Sequence, residues 1–193
     1  MPLRLITPPT ALAVTLLEAK AHLRETGTAE DSLITAMVTA ATETAEQITG
    51  RAIMPQTWEL VLDAFPATFE LTRVPAISVA SLNYLNESGN LIVLGAAAYA
   101  LSATDDYGFA YVRPAFGTQW PATRATANAV ALRFTAGYAS AAFVPESIKA
   151  WIKLQVSAMF ENREAEAYSS RAVSTTVKMS FVDGLLDRYR VRA

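Results

Sequence analysis

Residues 15–50 read TLLEAKAHLRETGTAEDSLITAMVTAATETAEQITG, and two helical patterns follow one another in this stretch. Thr15 and Glu18 have the spacing of a capping box, in which a hydroxyl and a carboxylate bind N–H groups that the start of a helix leaves unpaired. The first helix is predicted to run to Thr26. It is predicted to end at Gly27, because glycine readily adopts the left-handed conformation found at helix ends.

Two further helices are predicted from the spacing of apolar residues. Apolar side chains recur every three or four positions from Ile34 to Ile48, which predicts an amphipathic helix from about Ala29 that ends at Gly50. Pro145 suits the first turn of another helix, and the residues after it carry a wide apolar stripe. A wide stripe indicates that this helix is covered on more than one side.

Between about Met54 and Thr135 the hydrophobic period changes from 3.6 to 2. Apolar and polar residues alternate from Trp58 to Asp63, and the polar segment 86–90 has the composition of a hairpin turn. Prolines separate the apolar runs, as is usual between short antiparallel strands. We expect five to seven strands in this part of the chain.

These patterns together predict an α+β fold. A helical bundle, made of two N-terminal helices and a C-terminal helix, would carry an inserted antiparallel β-rich region and a C-terminal tail. The expected divisions are an N-terminal helical part (1–53), the β-rich insertion (54–143), the helix that completes the bundle (144–164), and a flexible linker with a docking segment (165–193).

The composition excludes several classes of chemistry. The 193 residues include 16 basic and 18 acidic side chains, one His and no Cys. There is therefore no disulfide framework, no thiolate metal site and no His-pair metal site. A net charge of −2 argues against nucleic-acid binding through a basic surface. The longest uncharged stretch, 88–104, is too short for a membrane span, so we expect no membrane partner.

Few residues qualify as candidates for catalysis. His22 lies within the first predicted helix with only Glu18 and Glu25 near it, which favours a structural role. Asp105 and Asp106 could hold Mg²⁺ or act as an acid–base pair in a hydrolase, but adjacent Asp residues before a glycine are also typical of turns. The sequence contains no phosphate-binding glycine motif and no nucleophile elbow. We expect a protein without catalytic activity, cofactor or metal.

The C-terminal segment combines apolar and basic side chains after a polar stretch rich in Ser and Thr. A merely solvated terminus would not need the apolar members, so the segment is predicted to dock on a partner, and its deletion is expected to leave the fold intact. Its candidate docking residues are Phe181, Val182, Leu185, Leu186, Arg188, Tyr189, Arg190 and Arg192.

A series of short motifs lies in order along the chain from about Leu16 to Glu164. The motifs are residues 17–24 (LEAKAHLR), 30–34 (EDSLI), 45–51 (AEQITGR), 56–58 (QTW), 71–75 (LTRVP), 120–121 (WP), 134–138 (FTAGY), 144–149 (VPESIK) and 162–164 (NRE). In this order they resemble the head–tail connector (adaptor) proteins of tailed bacteriophages, and related connectors occur in phage-like gene transfer agents. The tail beyond residue 164 carries no matching motif.

The resemblance implies a structural role in the neck of a virion. Such connectors form a twelvefold ring on the portal at the DNA-packaging vertex, extend the DNA channel, and present a platform to a stopper or tail protein. The partners implied are the portal, a stopper or tail-completion protein, further copies of the chain, and DNA that passes without specific binding. Many are monomers before they meet the portal, and they assemble in the bacterial host cytoplasm. A stopper or tail-completion protein is the alternative.

Overall fold

The computed structural model describes residues 3–102, 109–162 and 180–191, and within these ranges it contains four α-helices and eight strands. The helices are α1 (Leu16–Leu23), α2 (Asp31–Thr49), α3 (Glu146–Glu161) and α4 (Ser180–Asp187). The strands are β1 (Leu3–Thr7), β2 (Gln56–Leu62), β3 (Phe69–Leu71), β4 (Ala76–Leu85), β5 (Leu91–Val93), β6 (Tyr99–Ser102), β7 (Ala110–Pro114) and β8 (Val130–Ala136). The predicted α+β class is correct, and β2 to β8 give seven strands in the region where five to seven were expected.

Local signals set most helix ends as predicted. The Thr15 hydroxyl accepts the Glu18 N–H at 3.2 Å, and the Glu18 carboxylate accepts the Thr15 N–H at 2.7 Å, so the capping box is present. α2 ends at Gly50, which has a positive φ of 73°. The predicted end of α1 was wrong. The helix stops at Leu23 because Arg24 takes the left-handed conformation, three residues before Gly27.

The four helices share one hydrophobic core. α2 contacts α1, α3 and α4, and α3 contacts α1 and α4. The apolar stripe of α2 and the wide stripe of α3 supply most of its large side chains. Fully buried members include Ile34, Val38, Ile148, Trp151 and Ile152.

The strands form two antiparallel sheets over a second core. The larger sheet has the order β1-β2-β8-β4-β5, and the smaller has the order β3-β7-β6. Side chains of both sheets meet in one apolar cluster, with Leu132 and Phe134 from the larger sheet and Phe69 and Val112 from the smaller. Trp120 stacks on Phe65 in this cluster, with 4.9 Å between the ring centres.

Strand β1 was not predicted from the sequence. It lies in the part of the chain expected to be helical, and it pairs antiparallel with β2 at the edge of the larger sheet. Its partner lies about fifty residues further along the chain, so no local pattern reports the pairing.

The two cores adjoin where the chain passes from α2 to β2 and from β8 to α3. Tyr138 N–H donates to the Ile53 carbonyl at 3.0 Å, and Gly137 N–H donates to the Pro75 carbonyl at 2.8 Å. Gly137 has a φ of 128°, and a Cβ at this position would collide with the backbone of Met54. Glycine is therefore required at this junction, both for its backbone angle and for the close approach.

Candidate functional site

The C-terminal segment, predicted to dock on a partner, lies against the helical core of its own chain. Val182 and Leu186 are fully buried there, Tyr189 is 9% exposed, and Leu185 packs against the same cluster. These four apolar residues of the segment thus serve as core residues in this structure. Deletion of residues 181–193 would remove them from the core, so the structure leads us to expect that it destabilises the fold, contrary to the expectation from the sequence.

Two backbone contacts hold the end of the segment. Val191 N–H donates to the carbonyl of Thr49 at 2.8 Å, and Thr49 is the last residue of α2. A helix end leaves its carbonyls without partners in the helix, so this bond caps α2. The buried Arg51 donates from Nε to the Tyr189 carbonyl at 2.6 Å. Its two terminal nitrogens are buried and have no hydrogen-bond partner among the described residues.

Two basic members of the predicted docking set, Arg188 and Arg190, are exposed, and Arg190 Nε lies 3.0 Å from Asp187 Oδ1. Phe181 belongs to α4, but its side chain is not described, and Arg192 lies outside the described residues. Among the described members of the set, Val182, Leu186 and Tyr189 are therefore buried, whereas the two arginines are accessible.

Of the candidates for catalysis, the structure describes only His22. His22 is exposed on α1, and Asp105 and Asp106 lie outside the described residues. Where the structure describes the chain, no group of three or more His, Asp or Glu side chains is placed to hold a metal ion. Nor does this part of the chain contain a helix long and apolar enough to cross a membrane.

A row of charges crosses the face of the larger sheet that points away from the strand core. Arg4, Glu59 and Arg133 stand in register on β1, β2 and β8. Arg4 donates from Nε to Glu59 Oε2 at 2.6 Å, and Arg133 donates from Nε to Glu59 Oε1 at 2.6 Å. Burial alone would raise the pKa of Glu59, but the two arginines outweigh it and hold that pKa below its usual value of 4.5.

A concave apolar pocket of about 290 Å³ opens between β1, the segment that follows it, and α2. Leu5, Pro8, Pro9, Ala11, Leu12 and Met54 form most of its apolar lining.

Two glutamates add negative charge to this pocket. Glu43 is exposed, and Glu46 is half-buried. Glu46 accepts the Ile53 N–H and the Gln56 side-chain amide, both at 2.6 Å. Burial raises the pKa of Glu46 above its usual 4.5, although these two hydrogen bonds oppose the shift.

Large apolar side chains are also exposed outside this pocket. Leu91 and Val93 of β5 are more than two-thirds exposed, and Phe116, between β7 and β8, is fully exposed. The sequence analysis did not single out these residues. The turn residues Pro114 and Gly117 mark the loop in the sequence, but no sequence pattern reports that the phenylalanine between them stays uncovered.

Comparisons with known proteins give matches in solved structures. No family model matches the chain, and neither does any curated protein sequence. A chain in the neck of an empty gene transfer agent particle, computed with C6 symmetry, aligns with a TM-score of 0.79 and 25% identity. A chain of the native gene transfer agent virion aligns with a TM-score of 0.77 and 25% identity. A chain in the neck of the native particle, computed with C12 symmetry, aligns at 0.77 and 22% identity.

Each of these alignments covers 100% of this chain and 97% of the other. The match at 22% identity bears on the fold alone. The shared architecture therefore extends over both cores, and almost the whole of each chain takes part in the alignment. Over its whole length the chain has the fold of chains found in the virions and necks of gene transfer agent particles.

Proposed function

We propose that this chain is a structural, non-enzymatic component of the neck of a phage-like particle, and that within the neck it is the head–tail connector (adaptor). The observation that carries the proposal is the full-length likeness to a chain in the neck of a gene transfer agent particle, at a TM-score of 0.79. The ordered motifs from Leu16 to Glu164, which resemble those of connectors, support the adaptor position within the neck.

In this proposal the working form is a ring of identical copies under the portal. Two of the similar chains come from necks computed with C6 and C12 symmetry, which supports a twelvefold ring. Exposed apolar side chains on a monomer are typical of surfaces that associate. Leu91, Val93 and Phe116 supply such a surface, and the pocket beside β1 supplies another.

The ring extends the channel through which DNA passes. Passage requires that the wall does not retain the phosphate backbone, since contacts between basic side chains and phosphates dominate non-specific affinity. The near-neutral chain, with a net charge of −2, suits a conduit better than a binding surface. The contact with DNA is therefore transient and non-specific, and the far face of the ring receives a stopper or tail-completion protein.

The C-terminal segment attaches the ring to the portal. Arg188 and Arg190 are exposed and can contact a partner directly. Val182, Leu186 and Tyr189 can contact a partner only if α4 first leaves the helical core in which they are buried. Attachment thus begins at the arginines, and the apolar residues contribute only after α4 detaches.

A binding assay against the two neighbouring components separates the adaptor from the other neck proteins. The purified chain is passed over immobilised cognate portal and, separately, over immobilised tail-completion protein lacking other neck components. An adaptor binds the portal in the absence of tail proteins. Binding to the tail-completion protein alone, with none to the portal, would make the chain a stopper or another neck component.

A charge reversal tests the proposed attachment residues. The double variant Arg188→Glu/Arg190→Glu should lower the melting temperature by only a few degrees, because both side chains are exposed and an exposed ion pair such as Arg190–Asp187 contributes about 1 kcal/mol or less. Its affinity for the portal should fall about tenfold or more, since contacts of charged donors contribute 1.5–3 kcal/mol each. Arg24→Glu/Arg124→Glu changes the same charge at two other exposed arginines and should bind as the parent does. Equal affinity of the two double variants would disprove the assignment.

A further inference from the structure

Phe116 lies at the tip of a rigid turn and has no cover in the structure. It is the most exposed of the large apolar side chains among the described residues. Ala115 carbonyl accepts the Thr118 N–H at 2.9 Å, and Gly117 between them has a φ of +77°, the geometry of a type II turn. Phe116 occupies the first central position of this turn, from which its ring projects into solvent.

The turn is fixed to the rest of the strand domain. Ala115 N–H donates to the Ala98 carbonyl at 3.0 Å, and Thr118 Oγ1 lies 3.2 Å from the same oxygen. Because the loop is already ordered, a partner that covers Phe116 does not have to overcome the entropy of ordering it. An aromatic side chain presented in this way has the properties of an interface anchor.

The turn and the apolar pocket belong to different elements of the chain. The turn follows β7 of the smaller sheet, whereas the pocket is lined by β1 of the larger sheet, by the segment after it and by α2. Phe116 is fully exposed, so it does not occupy the pocket of its own chain, and its ring is available to the pocket of a neighbouring copy.

The two surfaces carry opposite charge. Arg113, three residues before Phe116, is exposed, with its guanidinium 5.3 Å from the ring centre of Tyr111. The pocket carries the carboxylates of Glu43 and Glu46. A contact that inserts Phe116 into the pocket of another copy brings Arg113 towards the two glutamates. The charges therefore favour this contact over one between two turns or between two pockets.

We propose that Phe116 of each copy inserts into the pocket beside β1 of the next copy, with Arg113 facing Glu43. A contact between two different patches of identical chains is heterologous, and its repetition closes a ring when the rotation between copies permits. The inference rests on the proposed ring and adds to it the residues that join neighbouring subunits. Leu5, which lines the pocket and is 44% exposed, extends the buried area.

Photo-crosslinking tests the contact directly. Phe116 is replaced by p-benzoylphenylalanine in the full chain, a substitution that keeps an aromatic ring at the turn. One sample is irradiated alone at high concentration, and another is irradiated on its cognate portal. Mass spectrometry should place the crosslink in residues 8–13 or 39–46 of a second copy. The same photo-reactive residue at Phe143, which is 69% exposed on the helical side of the chain, should not label these segments. Labelling from position 143 equal to that from 116, or crosslinks from 116 only to other segments, overturns the inference.

Mixing two defective variants provides a second readout. Phe116→Ala should keep the parent melting temperature, because the side chain is exposed, but should not oligomerise; Ala11→Trp, which fills the pocket, should also stay monomeric. An equimolar mixture retains one intact contact. At a concentration at which the parent oligomerises, the mixture should therefore form heterodimers and nothing larger in native mass spectrometry. Rings from either variant alone, or no heterodimer under those conditions, would refute the pairing.

The failure of this inference can be distinguished from a failure of the proposed function. If amine crosslinking of the parent on the portal gives ring-sized oligomers while position 116 labels neither pocket segment, the ring stands and its contact lies elsewhere. If the parent forms no oligomer on the portal, the proposed adaptor function is itself contradicted.

Discussion

Truncation of Leu186 to alanine measures how firmly α4 belongs to the helical core. Leu186 has no exposed surface and packs in the cluster shared with α2 and α3. The substitution replaces a buried isobutyl group by a methyl group and leaves a cavity under α4, without changing a polar side-chain contact.

The expected cost follows from the burial of the side chain. Leu→Ala at buried sites costs about 2–5 kcal/mol, and the value is lower where the surroundings can collapse. α4 has only eight residues and lies at the edge of the helical core, so it can move into the cavity. We therefore expect a loss of about 2–3 kcal/mol in the free energy of unfolding. For a chain of this size, that corresponds to a fall of about 5–10 °C in melting temperature.

Thermal and urea unfolding followed by circular dichroism measure this cost, and amide hydrogen exchange locates it. The Val191 amide, bonded to the Thr49 carbonyl, should exchange faster in the variant. Leu17→Ala is the control, since Leu17 is 79% exposed on α1 and its truncation should cost less than about 0.5 kcal/mol.

Equal melting temperatures for Leu186→Ala and Leu17→Ala would refute the placement of α4 in the core. That result would mean that the segment is free in the isolated chain. Portal attachment through its apolar residues would then require no detachment step.

Two glutamates and one glycine provide further tests. The folded-state pKa of Glu59 lies below 4.5, so the ionised carboxylate stabilises the fold above that pH, and this stabilisation is lost as the pH falls. Glu59→Gln should therefore flatten the fall in melting temperature below pH 4.5. Glu46 should act in the opposite direction, because its raised folded-state pKa makes its ionisation destabilise the fold as the pH rises from 4.5. Glu46→Gln should therefore flatten the fall in melting temperature above pH 4.5. An unchanged pH dependence in either variant contradicts the pKa shift assigned to that glutamate. Gly137→Ala should lower the free energy of unfolding in urea by at least about 2 kcal/mol. Gly95→Ala is the control and should stay close to the parent, because an added Cβ meets no atom within 4 Å there. Similar values for the two variants would disprove the steric argument.

The elements that the sequence predicts are those specified by neighbouring residues. The capping box at Thr15 and Glu18 lies within one turn of helix, and the α2 pattern ends at a glycine, so both follow from local chemistry. Alternation likewise predicts the strands from β2 onward. In contrast, β1 depends on pairing with β2, and no pattern within residues 3–7 identifies that partner.

In the candidate sites, likewise, the sequence predicts features set by neighbouring residues but not features set by tertiary packing. The amphipathic pattern around Leu186 correctly indicates a buried face, but amphipathicity alone does not distinguish burial in the chain's own core from burial against a partner. The uncovered Phe116 was missed because exposure depends on how the surrounding strands pack. The sequence indicates a turn there and gives no signal of a contact surface.

Electron microscopy of the chain mixed with its cognate portal tests the proposed adaptor role most directly. The proposal predicts an additional ring of density on one end of the portal, with the portal's own twelvefold symmetry and one copy of this fold per portal subunit. A portal that sediments without added density, at concentrations well above those in an infected cell, would contradict the adaptor function.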